Sequence, residues 1–193
     1  GGAALPGGRR DPPGPPAGRV TKAIVAEARG KVYLIGAGPG DPGLLTLKGK
    51  RCLEEADVVV YDHLSNPRLL RYSRSDAELI FVGKQAGRHS LPQEEIGRLL
   101  VEQAKLGKVV ARLKGGDPFI FGRGGEEAED LVAARIPFEV VPGVTAGVAA
   151  PAYAGIPLTH RDLTSTVAFI TGHEDPPKDA TSIAWDKIAT GIG

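Results

Sequence analysis

The patterned part of the chain begins at Val32-Tyr33-Leu34-Ile35, a short apolar run closed by Gly36. Runs of this length with a glycine at the exit predict buried strands. The pattern returns at Asp57-Val58-Val59-Val60-Tyr61, at Leu79-Ile80-Phe81-Val82, at Lys108-Val109-Val110-Ala111-Arg112-Leu113 and at Phe138-Glu139-Val140-Val141. Between these runs the spacing becomes helical. Gly49, Cys52, Leu53 and Ala56 fall on one face, and so do Ile96, Leu99, Leu100 and Gln103. Ahead of the second helix, Ser90 and Gln93 have capping-box spacing, with Pro92 in the tolerated first turn. A third, charged helix is predicted over about 125–135. Strands that alternate with helices in this way predict an α/β domain with a mainly parallel sheet.

Past the fifth strand the pattern changes. Val141-Pro142-Gly143 predicts a hinge into a second domain, with a small-residue helix over 145–153 and a strand near 166–171. At the other end, residues 1–18 contain 11 Gly or Pro. Such a stretch buries too little apolar surface to offset its ordering entropy. The predicted organisation is therefore a disordered leader or linker over 1–30, an N-terminal α/β domain over 31–141, and a partial C-terminal α/β domain over 142–193.

Charge changes this picture little. Lys and Arg number 24 against 23 Asp and Glu among 193 residues. The tail to position 31 holds six basic and two acidic residues, and the remainder 18 basic and 21 acidic. The body thus has no bulk basic field for nucleic acid. One cysteine, Cys52, allows neither an intrachain disulfide nor a metal cluster, and a reducing, cytoplasmic setting is expected. No apolar run approaches the ~20 residues of a membrane helix.

The strand exits carry the candidate chemistry, because ligands in open α/β sheets bind beyond the carboxyl ends of the strands. The first exit reads Gly36-Ala37-Gly38-Pro39-Gly40-Asp41-Pro42-Gly43. It departs from a dinucleotide fingerprint at Asp41, where Gly or Ala is needed for close helix packing. Pro39 and Pro42 also remove donors that a phosphate cradle would use. A dehydrogenase is therefore disfavoured. The second glycine-rich exit runs from Lys114 to Gly124 and supplies the carboxylate of Asp117. Two such loops on one cleft predict a ligand held by backbone groups at close approach.

The segments GAGPGDPGLLT, VVVYDHL, VGK, ARLKGGDPFIFGRGGEE, VPGVTA and GIPLTHR, in this order, resemble the tetrapyrrole methylase superfamily. Within it they are similar to uroporphyrinogen-III C-methyltransferases, free-standing or as the last domain of siroheme synthase. The resemblance covers about residues 31–190. It implies the tetrapyrrole methylase fold, two α/β domains with the active-site cleft between them. It implies an S-adenosylmethionine-dependent methyltransferase that adds two methyl groups to uroporphyrinogen III, giving precorrin-2 and S-adenosylhomocysteine, in siroheme or cobalamin biosynthesis. Carried onto matching positions, cofactor contacts fall on Pro39, Gly115, Gly116, Asp117, Ile120, Thr145 and Ala146. Asp62 takes the role of general base and Lys84 that of proton donor, and no metal is implied. A substrate with eight carboxylates calls for basic side chains. Arg88, His89, Arg123, His160 and Arg161 on the motif loops are the candidates.

The partners expected are a small-molecule tetrapyrrole and, for an intact protein, a second copy in a homodimer, without nucleic acid or membrane. Family members continue past the Trp185-to-Ala189 region with a further strand and further cofactor loops, so the second domain is expected to be incomplete and the chain alone poorly folded or inactive. Two other readings stay open: a methyltransferase acting on a later corrin intermediate, and a truncated S-adenosylmethionine-binding fragment without turnover.

Overall fold

The computed structural model describes residues 30–83, 91–172 and 183–191. Five strands form one sheet: β1 (Lys31–Gly36), β2 (Val58–Tyr61), β3 (Glu78–Phe81), β4 (Val109–Lys114) and β5 (Phe138–Val141). The spatial order is β3-β2-β4-β1-β5. Every pairing is parallel, with Val32 opposite Val110 on one side and Phe138 on the other. Three helices make the crossovers: α1 (Leu47–Glu55), α2 (Gln93–Lys105) and α3 (Gly124–Ala133). Beyond the sheet lie α4 (Ala146–Tyr153) and α5 (Trp185–Gly191).

The apolar runs exist because both faces of the sheet are covered. Side chains alternate along each strand. Val32, Leu34, Val58, Val60 and Val110 meet Ile96, Leu100, Ala104, Ala128 and Leu131 of α2 and α3. Tyr33, Ile35, Val59, Ala111 and Leu113 meet Cys52, Leu53 and Ala56 at α1. Leu53, Leu100 and Leu131 are completely buried, each contributing about 1.5–3 kcal/mol relative to an exposed side chain. The Thr46 hydroxyl caps α1 by accepting from Gly49 N at 3.0 Å.

Four features differ from the sequence expectations. Pro92 is the N-cap of α2, with no side-chain capping bond. Ser90, the other half of the expected capping box, lies outside the described residues. The Gln93 amide is engaged through its nitrogen, which donates to the buried Glu127 Oε1 at 3.0 Å, a charge-assisted bond stronger than a cap. Residues 166–171 do not form a strand. A strand needs a ladder partner, and the pairing in this region is a single bridge between His160 and Thr164. Finally, α5 was not anticipated, since its seven residues give two turns, too few for a periodic signal.

Candidate functional site

The central strands β1 and β4 end side by side, and their exits are stitched together. Ala37 N donates to Lys114 O at 2.7 Å, Gly38 N to Gly116 O at 3.1 Å, and Gly116 N to Gly38 O at 2.8 Å. Gly38 and Gly116 both have positive φ, at 76° and 66°, which a side chain would resist. The β5 exit closes on the same spot: a β-carbon on Gly36 would lie 2.4 Å from Gly143 Cα. Asp117 ties the β4 exit to the β5 exit. Its Oδ2 accepts from Gly143 N and its Oδ1 from Phe119 N, both at 2.9 Å. From the other flank, Asn66 Nδ2 donates to Gly40 O at 2.6 Å.

These loops enclose a cavity of about 440 Å³, within the range of small-molecule sites. Pro39, Gly115, Gly116, Ile120, Thr145 and Ala146 all line it. They are six of the seven residues assigned to the cofactor by resemblance. The seventh, Asp117, does not line the cavity, because both its oxygens are occupied by backbone N–H groups that hold the wall in shape. No charged side chain is among the described residues lining the cavity. Such a wall suits a ligand of modest net charge read by shape and backbone hydrogen bonds, and it is unsuited to a polyphosphate. One rim is strained: Phe121 and Arg123 hold φ of 52° and 56°, a left-handed conformation that costs about 1 kcal/mol for a non-glycine residue.

Asp62 stands just past β2, its side chain 18% exposed. Its Oδ1 accepts from Leu64 N at 3.0 Å, and its Oδ2 from Arg112 Nη2 at 3.0 Å. Arg112 opens into a buried network that sequence reasoning missed. Arg112 and Lys114, two residues apart on β4, point to the α2/α3 side, where Glu127 of α3 is completely buried. Glu127 Oε1 accepts from Lys114 Nζ at 2.8 Å, from Gln93 at 3.0 Å and from Arg112 Nε at 3.2 Å, while Oε2 has no hydrogen-bond partner. Burial lowers the Lys114 pKa, the Arg112 charge lowers it further, and Glu127 opposes both. The available signal was two cations at alternate positions in an otherwise apolar strand.

Of the basic candidates that are described, Arg123, His160 and Arg161, none lines the cavity. Lys84, Arg88 and His89 lie outside the described residues. Arg123 is exposed and chelates Glu126, Nε to Oε1 at 2.8 Å and Nη2 to Oε2 at 2.7 Å. It lines a separate hollow with Phe119 and Glu129. His160 and Arg161 are exposed and do not line the main cavity. The His160 Nδ1 accepts from Asp162 N at 3.2 Å. Among the described residues, no group of three or more His, Cys, Asp or Glu is placed to hold a metal ion.

A model of the tetrapyrrole (corrin/porphyrin) methylases matches residues 31–190. An S-adenosyl-L-methionine-dependent uroporphyrinogen III methyltransferase of Methanosarcina barkeri is 59% identical over 160 residues, covering 83% of this chain and 63% of the relative. Siroheme synthase 1 of Aeromonas hydrophila is 59% identical over 164 residues, covering 85% of this chain and 35% of the relative. A crystal structure of uroporphyrin-III C-methyl transferase from Thermus thermophilus, complexed with S-adenyl homocysteine, superposes with a TM-score of 0.60 at 52% identity, covering 71% of this chain and 57% of that one. The chain thus spans less than two thirds of the length of these relatives.

Proposed function

The chain belongs to the tetrapyrrole (corrin/porphyrin) methylases, and on that premise we propose that it serves S-adenosylmethionine-dependent C-methylation of uroporphyrinogen III to precorrin-2. The observation that carries this reading is the uncharged cavity at the joined exits of β1, β4 and β5. Its fit to S-adenosylmethionine is chemical. Glycines bring backbone N–H and C=O groups to the ligand, Ile120 and Ala146 offer apolar contact, and Thr145 adds a hydroxyl. The Pro39, Gly115, Gly116, Ile120, Thr145 and Ala146 wall holds the cofactor, and Asp117 braces that wall from behind.

When bound, the cofactor supplies a sulfonium methyl group to a carbon nucleophile. The chain's own task is then alignment, which can lower a barrier by several kcal/mol. Asp62 is held in orientation by Arg112 and Leu64 N, and takes up a proton from the macrocycle as general base. Lys84 returns a proton. Arg88, His89, Arg123, His160 and Arg161 pair with acetate and propionate groups of the substrate. In this proposal, residues 31–141 and 142–193 belong to two domains that flank the cleft. The protein works as a homodimer in the cytoplasm, in siroheme or cobalamin biosynthesis. No helix among the described residues is long and apolar enough to cross a membrane.

One observation favours a second reading, cofactor binding without turnover. Residues 159–168 are exposed along their whole length, including Leu163 at 82%, so the segment leading to Phe169 and Ile170 at the cavity is lightly packed.

Calorimetric titration of S-adenosylhomocysteine against a nicotinamide dinucleotide tests the proposal. Micromolar binding of the first and none of the second is expected. Equal binding of both, or binding of neither, contradicts it.

A further inference from the structure

Among the described residues, the helix that carries the Thr145–Ala146 side of the cavity is lightly packed, with the Phe169 ring against Gly147. Of α4, Ala149 is the one residue that is buried. Its local propensity is poor, since Gly147 and the internal Pro151 each weaken an eight-residue helix, the proline by removing a backbone donor. Its two ends, however, are tied to the loops at the strand exits by carboxylates. Just ahead of α4, Asp117 Oδ2 accepts from Gly143 N at 2.9 Å. At its far end, the Tyr153 hydroxyl donates to Asp41 Oδ2 at 2.6 Å, across 112 positions of sequence. Asp41 is the residue that breaks the dinucleotide fingerprint. Its other oxygen accepts from Gly43 N at 2.7 Å, which orients the carboxylate.

The loop that bears Asp41 also contributes Gly38 and Pro39 to the cavity wall. It turns at Gly38 and Gly40, with φ of 76° and 123°, and it is anchored there by Gly116 and Asn66, so Asp41 extends from a fixed base. The eight residues of α4 span about 12 Å, and a tie at residue 153 therefore governs the angle of the wall at residues 145–147.

We propose that Tyr153 and Asp41 form a clasp that sets the width of the ligand cavity, making both of them positioning residues for the adenosine-bearing ligand. This rests on the cofactor reading of the cavity given above. The clasp joins the two walls directly and leaves the cavity lining untouched, since neither residue lines it. A ligand entering a cleft held at its working width loses less conformational freedom than one that must close it.

Two measurements on the full chain test this. In amide hydrogen exchange, Tyr153→Phe should speed exchange in both residues 38–45 and 146–153 while leaving β2 and β4 unchanged. In calorimetry, Tyr153→Phe and Asp41→Ala should each weaken S-adenosylhomocysteine binding about fivefold to tenfold, the upper scale of one ordinary net hydrogen bond. The double variant should bind no worse than Asp41→Ala alone, a coupling that independent structural damage would not produce. Unchanged exchange in residues 38–45, or additive losses in the double variant, overturns the clasp. If the unaltered chain does not bind S-adenosylhomocysteine, the cofactor reading fails, and the exchange result decides the clasp by itself.

Discussion

Truncating Glu127 to alanine removes the one carboxylate that accepts from Arg112, Lys114 and Gln93 at once. Arg112 and Lys114 are 2% and 4% exposed, so neither cation can turn to water. Asp62 would be left as the single carboxylate of the network, already engaged by Arg112. Removing one partner of a buried pair costs about 3–5 kcal/mol, because a buried charge is stranded. Against a domain stability of about 5–15 kcal/mol, that is a large share. Glu127→Gln keeps the volume and one acceptor but loses the charge, and should cost about 1.5–3 kcal/mol.

Lys114→Met is the informative contrast. Burial already disfavours the charged lysine, as its lowered pKa shows. After the substitution Glu127 retains Arg112 and Gln93, so the change should stay within about 1 kcal/mol of zero. The same depression has a pH signature. Between the folded pKa of Lys114 and its ordinary value of 10.5, the unfolded chain binds more protons, so stability rises with pH through that window, and Lys114→Met abolishes the rise. Urea unfolding followed by far-ultraviolet circular dichroism reads all three variants. A Glu127→Ala loss below about 1 kcal/mol, or a Lys114→Met loss equal to it, would refute the reasoning.

Three further predictions come from other parts of the molecule. Gly143→Ala would place a β-carbon 2.2 Å from Gly116 O, and should cost about 1–3 kcal/mol in thermal or urea unfolding as the strand exits are pushed apart. Arg135 ends α3 at φ 56°, with Ile136 N donating to Leu131 O at 2.9 Å. It fills the left-handed position that favours glycine, so Arg135→Gly should raise stability by about 0.5–1 kcal/mol. Hydrogen bonds from Lys31 and then Lys48 hold the Glu139 pKa down to about 2. Its contribution is therefore present above its ordinary 4.5 and is lost as pH falls through about 2, so an acid titration of Glu139→Gln should lack that component.

Much of the fold was legible because a parallel sheet covered on both faces writes its strands as unbroken apolar runs. Val58-Val59-Val60 could hardly be anything else, and Gly49, Cys52 and Leu53 showed which face of α1 packs. The expected strand over 166–171 failed for a non-local reason, since its apolar residues give it propensity but no described strand pairs with it. The cavity wall was legible through the glycines, whose positive φ and close approach at Gly38 and Gly116 are demanded by the joined exits. The tasks of Asp117 and Asp41 were not, because which backbone N–H or hydroxyl a carboxylate meets is set by tertiary structure. Residue type alone does not separate a carboxylate that faces a ligand from one that braces the wall behind it. Arg112, Lys114 and Glu127 were hidden likewise, since ionisable residues ordinarily lie at the surface.

The central claim is that the exits of β1 and β4, with the start of α4, hold S-adenosylmethionine. Hydrogen exchange measured with and without saturating S-adenosylhomocysteine addresses it most directly. Protection confined to residues 38–39, 115–120 and 145–147 is the predicted result. Protection centred on the hollow around Arg123 and Glu129, or none anywhere, would contradict it.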